Sequence, residues 1–250
     1  MHISDIARRG AALAVACATF IAAPLATAAT VLYYADEFSG TDYPSLALAA
    51  RGDTVTTASS WADFNTKLGA GSYDLVIALA QDLGNGIDVP TLTSYVDGGG
   101  HVIFTDYTQP ADIAALLDGS FTGTLNQTSA NFAPALATGV TNPQPLTNPG
   151  WGTFAMSLAP GVGGTSVCSF AIDSCAVSGN GGRTLLLGFL ADTTNSNGSQ
   201  LWQNLIASLV GGAAPTPPAP IPTPTLSPWS LGALGLMLAL VSARLARRRR

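Results

Sequence analysis

Oxygen-bearing side chains stand at the ends of four apolar runs in this 250-residue chain, and its candidate chemistry starts from them. Asp36 and Glu37 follow Thr30–Tyr34, and Gln81 and Asp82 follow Tyr73–Ala80. Asp106 follows His101–Thr105, and Asp192 follows Arg183–Leu190. Hard oxygens of this kind suit calcium or magnesium. Two carboxylates can also divide acid and base work, as in glycoside hydrolysis. The plainer reading is structural, because an aspartate after a strand commonly caps the next helix. The candidate site is therefore Asp36, Glu37, Asp82 and Asp106, with a divalent cation as its one candidate cofactor.

Other chemistries lack their residues. The only histidine after residue 28 is His101, at the start of its strand, whereas open α/β sheets bind ligands at the carboxyl ends. A Ser-His-Asp or Cys-His relay with Asp106 is hard to assemble from that position. No Gly-x-Ser-x-Gly elbow, no glycine-rich phosphate loop with lysine and no histidine-based zinc set occurs. Cys168 and Cys175 are left as a pair once Cys17 is assigned to a leader, and export makes a disulfide their expected state. With Gly163-Gly164 before them and Gly179–Gly182 after, they would staple a hairpin or loop. No catalytic residue is assigned.

The elements that would position the carboxylates follow a clear rhythm. Thr30–Tyr34 reads as a strand, Tyr43–Arg51 as a helix closed by Gly52, and Thr54–Ala58 as a β-branched strand. Trp61–Leu68 is a helix capped by Ser59 or Ser60, with Asp63 in its first turn. Tyr73–Ala80 reads as a strand buried on both faces. Pro90 opens a helix over Thr91–Val96, three glycines stop it, and His101–Thr105 is the next strand. Periodicity then fades from Gly119 to Gly182, an irregular β-rich insertion or a meander, with candidate strands at Trp151–Leu158 and Thr165–Phe170. Arg183–Leu190 restores a buried strand, and Gln200–Val210 an amphipathic helix. Strands alternating with short helices predict an α/β domain with a mainly parallel sheet.

This order resembles the class I glutamine amidotransferase-like fold, a flavodoxin-like three-layer sandwich. The resemblance rests on the acidic turn after the first strand, Tyr-Asp-Leu-Val-Ile, Gly-Gly-Gly-His-Val-Ile-Phe, and a late strand followed by a helix. Active members of that superfamily carry a cysteine in the turn after the strand matching His101–Thr105. The corresponding position here is Asp106, followed by Tyr107-Thr108-Gln109, so the resemblance implies a domain without its nucleophile.

The two ends direct the chain. Arg8 and Arg9 precede the apolar run Ala11–Ala23, and Ala26-Thr27-Ala28 supplies small residues for a signal peptidase. Residues 1–28 are expected to be a signal peptide, 29–212 the α/β domain and 213–223 a proline-rich linker. Residues 224–250 combine Pro224-Thr225-Leu226-Ser227-Pro228-Trp229, an uncharged apolar run to Ala243 and Arg247–Arg250. That combination resembles the IPTL-CTERM sorting signal, a relative of the PEP-CTERM signals handled by exosortase-type proteases in Gram-negative bacteria. Pro224, Thr225, Leu226, Ser227 and Trp229 carry the motif, while Ile221-Pro222-Thr223 duplicates its opening. The resemblance implies one C-terminal transmembrane helix with its arginines inside and the domain on the periplasmic side, for retention there or release to the cell surface.

Between Ala29 and Gly212 three basic side chains face fourteen acidic ones, a net of −11, against −5 for the whole chain. Such a surface repels phosphate backbones, which excludes nucleic acid as a partner. The expected partners are the membrane, a signal peptidase and an exosortase-type protease. Three functional readings follow: an anchored, non-catalytic ligand- or partner-binding domain, which is favoured; a carboxylate-dependent extracellular hydrolase; and a structural component of an exopolymer matrix.

Overall fold

The computed structural model describes residues 28–193 and 197–211. Nearly all of the expected signal peptide, the linker and the sorting signal lie outside these residues. Among the described residues no helix is long and apolar enough to cross a membrane.

Five strands form the parallel part of one sheet, in the order β2 (Thr54–Thr57), β1 (Thr30–Ala35), β3 (Leu75–Ala80), β4 (His101–Asp106) and β11 (Thr184–Leu187). Every residue of β3 is buried, as its unbroken Leu-Val-Ile-Ala-Leu-Ala run requires of a central parallel strand. Helices cover both faces. On one side α1 (Tyr43–Arg51) and α5 (Gly198–Val210) bury Ala47, Leu48, Leu201, Trp202 and Leu205 against Val31, Ile77 and Leu187. On the other, α2 (Trp61–Ala70), α3 (Val89–Asp97) and α4 (Ala111–Leu116) bury Phe64, Leu92 and Ile113 against Leu32, Val76 and Phe104.

Local signals set the helix ends. Asp42 accepts the Ser45 N–H at 2.9 Å, Pro44 occupies the first turn, and Gly52 closes α1 at φ +75°, a conformation glycine adopts without strain. Ser60 caps α2 by accepting the Asp63 N–H at 3.1 Å, and Lys67 pairs with Asp63 one turn on, at 2.6 Å.

Two expectations are corrected. The sheet is not mainly parallel: β5 (Gly119–Asn126), β6 (Ser129–Phe132), β7 (Gln144–Pro145), β8 (Phe154–Pro160), β9 (Thr165–Ser169) and β10 (Ser174–Gly179) extend it with antiparallel pairings. The stretch from Gly119 to Gly182 is thus a continuation of the sheet rather than an irregular insertion. The expected strands Trp151–Leu158 and Thr165–Phe170 are present as β8 and β9, while β5 escapes detection because two of its four inward positions are glycines, Gly119 and Gly123, so its hydropathy barely alternates. Cys168 and Cys175 sit on the paired strands β9 and β10 and are joined by a disulfide, with Cα atoms 5.0 Å apart. The expected hairpin staple is present.

Candidate functional site

The parallel register sets the carboxyl edge. Ala35 lies opposite Leu79 and Ala80 opposite Asp106, so the residues after β1, β3 and β4 emerge together. The strand order also makes β1 and β3 the pair at which the chain reverses its direction of sheet growth, the place where open α/β sheets form a crevice. Asp36, Glu37, Asp82 and Asp106 therefore share one end of the sheet.

Sharing an edge does not make them a cluster. Asp36 Oδ1 accepts the Gln81 N–H at 2.6 Å, and Oδ2 accepts those of Leu83 at 2.7 Å and Asp82 at 3.1 Å. Its carboxylate closes the loop after the neighbouring strand and does not cap the following helix, a task Asp42 performs. Asp106 is fully buried. Its Oδ1 accepts the Thr108 N–H at 2.7 Å and hydroxyl at 2.6 Å, and its Oδ2 accepts the Asn85 amide at 2.6 Å. Burial pushes the Asp106 carboxyl up, against the opposing pull of these donors. Among the described residues no three Asp, Glu, His or Cys side chains group so as to hold a metal ion. Asp36 and Asp106 already serve as acceptors for backbone and side-chain donors.

The remaining pair is more open. Glu37 is exposed beside half-buried Asp82. A hydrogen bond that only protonated Glu37 can donate to Asp82, with the repulsion of that second carboxylate, raises the Glu37 carboxyl. Behind them Gln81 is buried, accepting the Ala191 N–H at 2.5 Å and donating to the Glu37 carbonyl, so it ties the ends of β1, β3 and β11 together.

A cleft of about 180 Å³ opens next to this pair, lined by Gln81, Asp82, Tyr107, Trp151, Phe154 and Leu190. Two of its three aromatic residues, Trp151 and Phe154, come from the antiparallel half, and Tyr107 follows β4. Gly188 lets β8 approach the end of β11: the Met156 N–H reaches the Gly188 carbonyl at 2.6 Å, and a Cβ at 188 would lie 2.1 Å from the Met156 carbonyl oxygen. Asp192 accepts the Ser39 and Gly40 N–H groups at 2.8 Å and the Asn148 amide. Asn148 in turn accepts the Trp151 N–H at 2.9 Å. This chain of hydrogen bonds holds Trp151 at the cleft with its side chain partly open to solvent, the residue being 45% exposed. Sequence reasoning passes over Tyr107, Trp151 and Phe154 as site residues. An isolated tryptophan in a Gly-Pro-Asn segment is the one signal that points to them.

His101 lies at the opposite edge, its Nδ1 within 3.0 Å of the Asp74 carbonyl. Five steps along the strand, about 16 Å, separate it from Asp106. The turn after β4 carries Tyr107-Thr108-Gln109, with Gln109 at φ +59°, and no thiol. Both described cysteines are consumed in the disulfide.

No protein-family model matches the chain, and no curated protein matches it in sequence. Solved structures are similar to it at low identity. A cytoplasmic protein from Salmonella typhimurium LT2 superposes with a TM-score of 0.50 and 11% identity, covering 72% of this chain and 98% of its own. A candidate GMP synthase subunit from Thermoplasma acidophilum gives 0.47 and 9%, covering 73% and 94%. A glutamine amido transferase from Methylobacillus flagellatus gives 0.41 and 9%, covering 66% and 70%. At these identities the likeness concerns the fold alone, a mixed α/β, sheet-rich architecture.

Proposed function

We propose that this chain is an exported, membrane-anchored bacterial protein whose amidotransferase-like domain binds a ligand in the carboxyl-edge cleft without turning it over. One observation carries the reading. At the position where an active amidotransferase needs its thiol stands Asp106, fully buried with both oxygens occupied by Thr108 and Asn85, beside a cleft with an aromatic wall. Small-molecule sites typically combine apolar walls with a few fixed polar groups. Here Trp151, Tyr107 and Phe154 supply the walls, while Asp82 and Gln81 supply the polar groups. The chemistry favours a ligand with one flat apolar face and hydrogen-bond donors directed at Asp82. Export and anchoring rest on the two terminal segments of the sequence, and the Cys168–Cys175 disulfide agrees with an oxidising compartment.

Titrating soluble oligosaccharides and short peptides while following tryptophan fluorescence tests the binding. A saturable change that Trp151→Ala abolishes supports the reading, and no saturable change with any probe counts against the cleft as a binding site. Glu37, raised beside Asp82, supports a second reading. Two adjacent carboxyls, one of them raised by its neighbour, form the kind of pair that divides acid and base work. Release of product from the same panel, lost in Glu37→Gln, would make the domain a carboxylate hydrolase.

A further inference from the structure

The expected cleavage point and the first buried residue of the fold coincide. Ala28 is exposed, Ala29 is only 5% exposed, and β1 begins at Thr30. The Ala29 N–H donates to Asp53 Oδ1 at 2.9 Å, and its carbonyl accepts the Thr54 N–H at 2.8 Å. The other oxygen of Asp53 accepts from Arg51 Nε at 2.8 Å, with both side chains fully buried. Arg51 also reaches the carbonyl of Gly211 at 3.4 Å, where the described domain ends. One aspartate thus touches the first residue of the domain directly and the last through Arg51.

We propose that hydrolysis of the Ala28–Ala29 peptide bond adds a structural ion pair to the fold, in which the new α-ammonium of Ala29 is bound by the Asp53 carboxylate. The inference rests on the reading that the chain is exported and cut by a signal peptidase. In that step water adds to the Ala28 carbonyl carbon and the C–N bond breaks. Ala28 leaves as a carboxylate, and the Ala29 nitrogen takes up protons to become an ammonium. A neutral amide donor becomes a charged one at the same place, and charge-assisted hydrogen bonds are the stronger kind.

The surroundings accept that charge. A cavity of about 250 Å³ between Ala28, Ala29, Asp74, His101, Leu209 and Val210 leaves room for the freed end. Asp74 is the second carboxylate there, accepting the Thr30 N–H and hydroxyl at 2.8 Å. Those bonds hold its carboxyl below the usual range. Arg51 and His101 are the other titratable groups facing the new terminus, while α5 contributes the apolar Leu209 and Val210. Arg51 is already matched by Asp53, so Asp74 tips the balance toward a cation.

The pair raises the α-ammonium pKa above its unfolded value of about 8. Its stabilisation is therefore fully present below about pH 8 and is lost as pH rises through the raised value. The test compares full-length chains to Arg250 in detergent, released from a fusion partner so that they start at Ala29 or at Ala28. Each is made with Asp53 and with Asp53→Asn. At pH 7 the Ala29 start should melt about 2–4 °C higher than the Ala28 start. That advantage should vanish at pH 10 and in Asp53→Asn, and should survive in His101→Asn, which removes the imidazole. Equal melting of the two starts at pH 7, or an advantage that persists in Asp53→Asn, overturns the pair. Intact mass of the protein processed in its own membrane answers the separate question of export: a mature chain starting elsewhere overturns the cleavage reading while the fusion-derived comparison still decides the pair.

Discussion

Asp36, at the end of one parallel strand, accepts the backbone N–H of Gln81, at the end of the next, at 2.6 Å. The same carboxylate takes the N–H groups of Asp82 and Leu83, so one side chain closes the loop that carries two cleft-lining residues. Its role is to shape the edge rather than to react there. Replacing it by Ala strands three donors, and Asp36→Ala should lose about 2–3 kcal/mol in urea unfolding. Asp36→Asn, which keeps one acceptor oxygen, should lose less. Equal stability of all three proteins would remove this account of the loop.

The disulfide gives a second expected outcome. Cys168 and Cys175 are separated by seven residues, and closing so short a loop contributes about 2–3 kcal/mol in the chain-entropy model. The double replacement Cys168→Ser, Cys175→Ser should fall in stability by about that amount and keep the sheet, since the backbone pairings of β9 with β10 and of β10 with β11 do not depend on the sulfurs. Non-reducing peptide mapping of the protein should recover the two in one linked peptide pair. Free thiols at both positions would contradict the structure.

How much of this is legible in the sequence follows residue type. The parallel half is legible because Leu75–Ala80 and the capped helices announce themselves by buried runs, Ser60, Pro44 and Gly52. The antiparallel half is legible only in β8 and β9: β5 turns Gly119 and Gly123 inward beside Phe121 and Leu125, which blurs its alternation, and its partner β8 lies far along the chain. The shared edge of Asp36, Asp82 and Asp106 is legible from the parallel register. What each carboxylate does is not: three backbone donors from another strand's loop satisfy Asp36, and no spacing rule encodes them. Trp151 reaches the cleft through Asn148 and Asp192, and that relation exists only once the chain is folded.

The tail carries a third prediction, resting on the proposed sorting signal. Removing residues 221–250 should turn a membrane-associated precursor into a soluble exported protein, read by fractionation. Neutralising Arg247–Arg250 should weaken the hold on that end and slow maturation, because basic residues keep a flank on the cytoplasmic side. A truncated protein that still sediments with membranes would show that another segment anchors it.

The last prediction concerns Asp106 and pH. Burial raises its carboxyl most, and the Asp36 charge adds to the effect, while the bonds from Thr108 and Asn85 pull the other way. The net direction is up, so the folded state binds the Asp106 proton more tightly than the unfolded state does. Stability from this group is therefore highest at low pH and declines as pH rises from the unfolded value of about 3.9 through the raised folded value. Above that value the loss is complete and the contribution flat. Asp106→Asn does not titrate, and its amide oxygen keeps the Thr108 donors while Asn85 rotates its own oxygen toward the new amide. The stability difference between wild type and variant, taken from urea midpoints at successive pH values from 3.5 to 7, isolates the group from Glu37 and Asp42, whose carboxyls are also raised. That difference should move steadily against the wild type as pH climbs. A flat difference would mean that the donors balance burial, and one that moves in the wild type's favour that they outweigh it and hold the Asp106 carboxylate ionised.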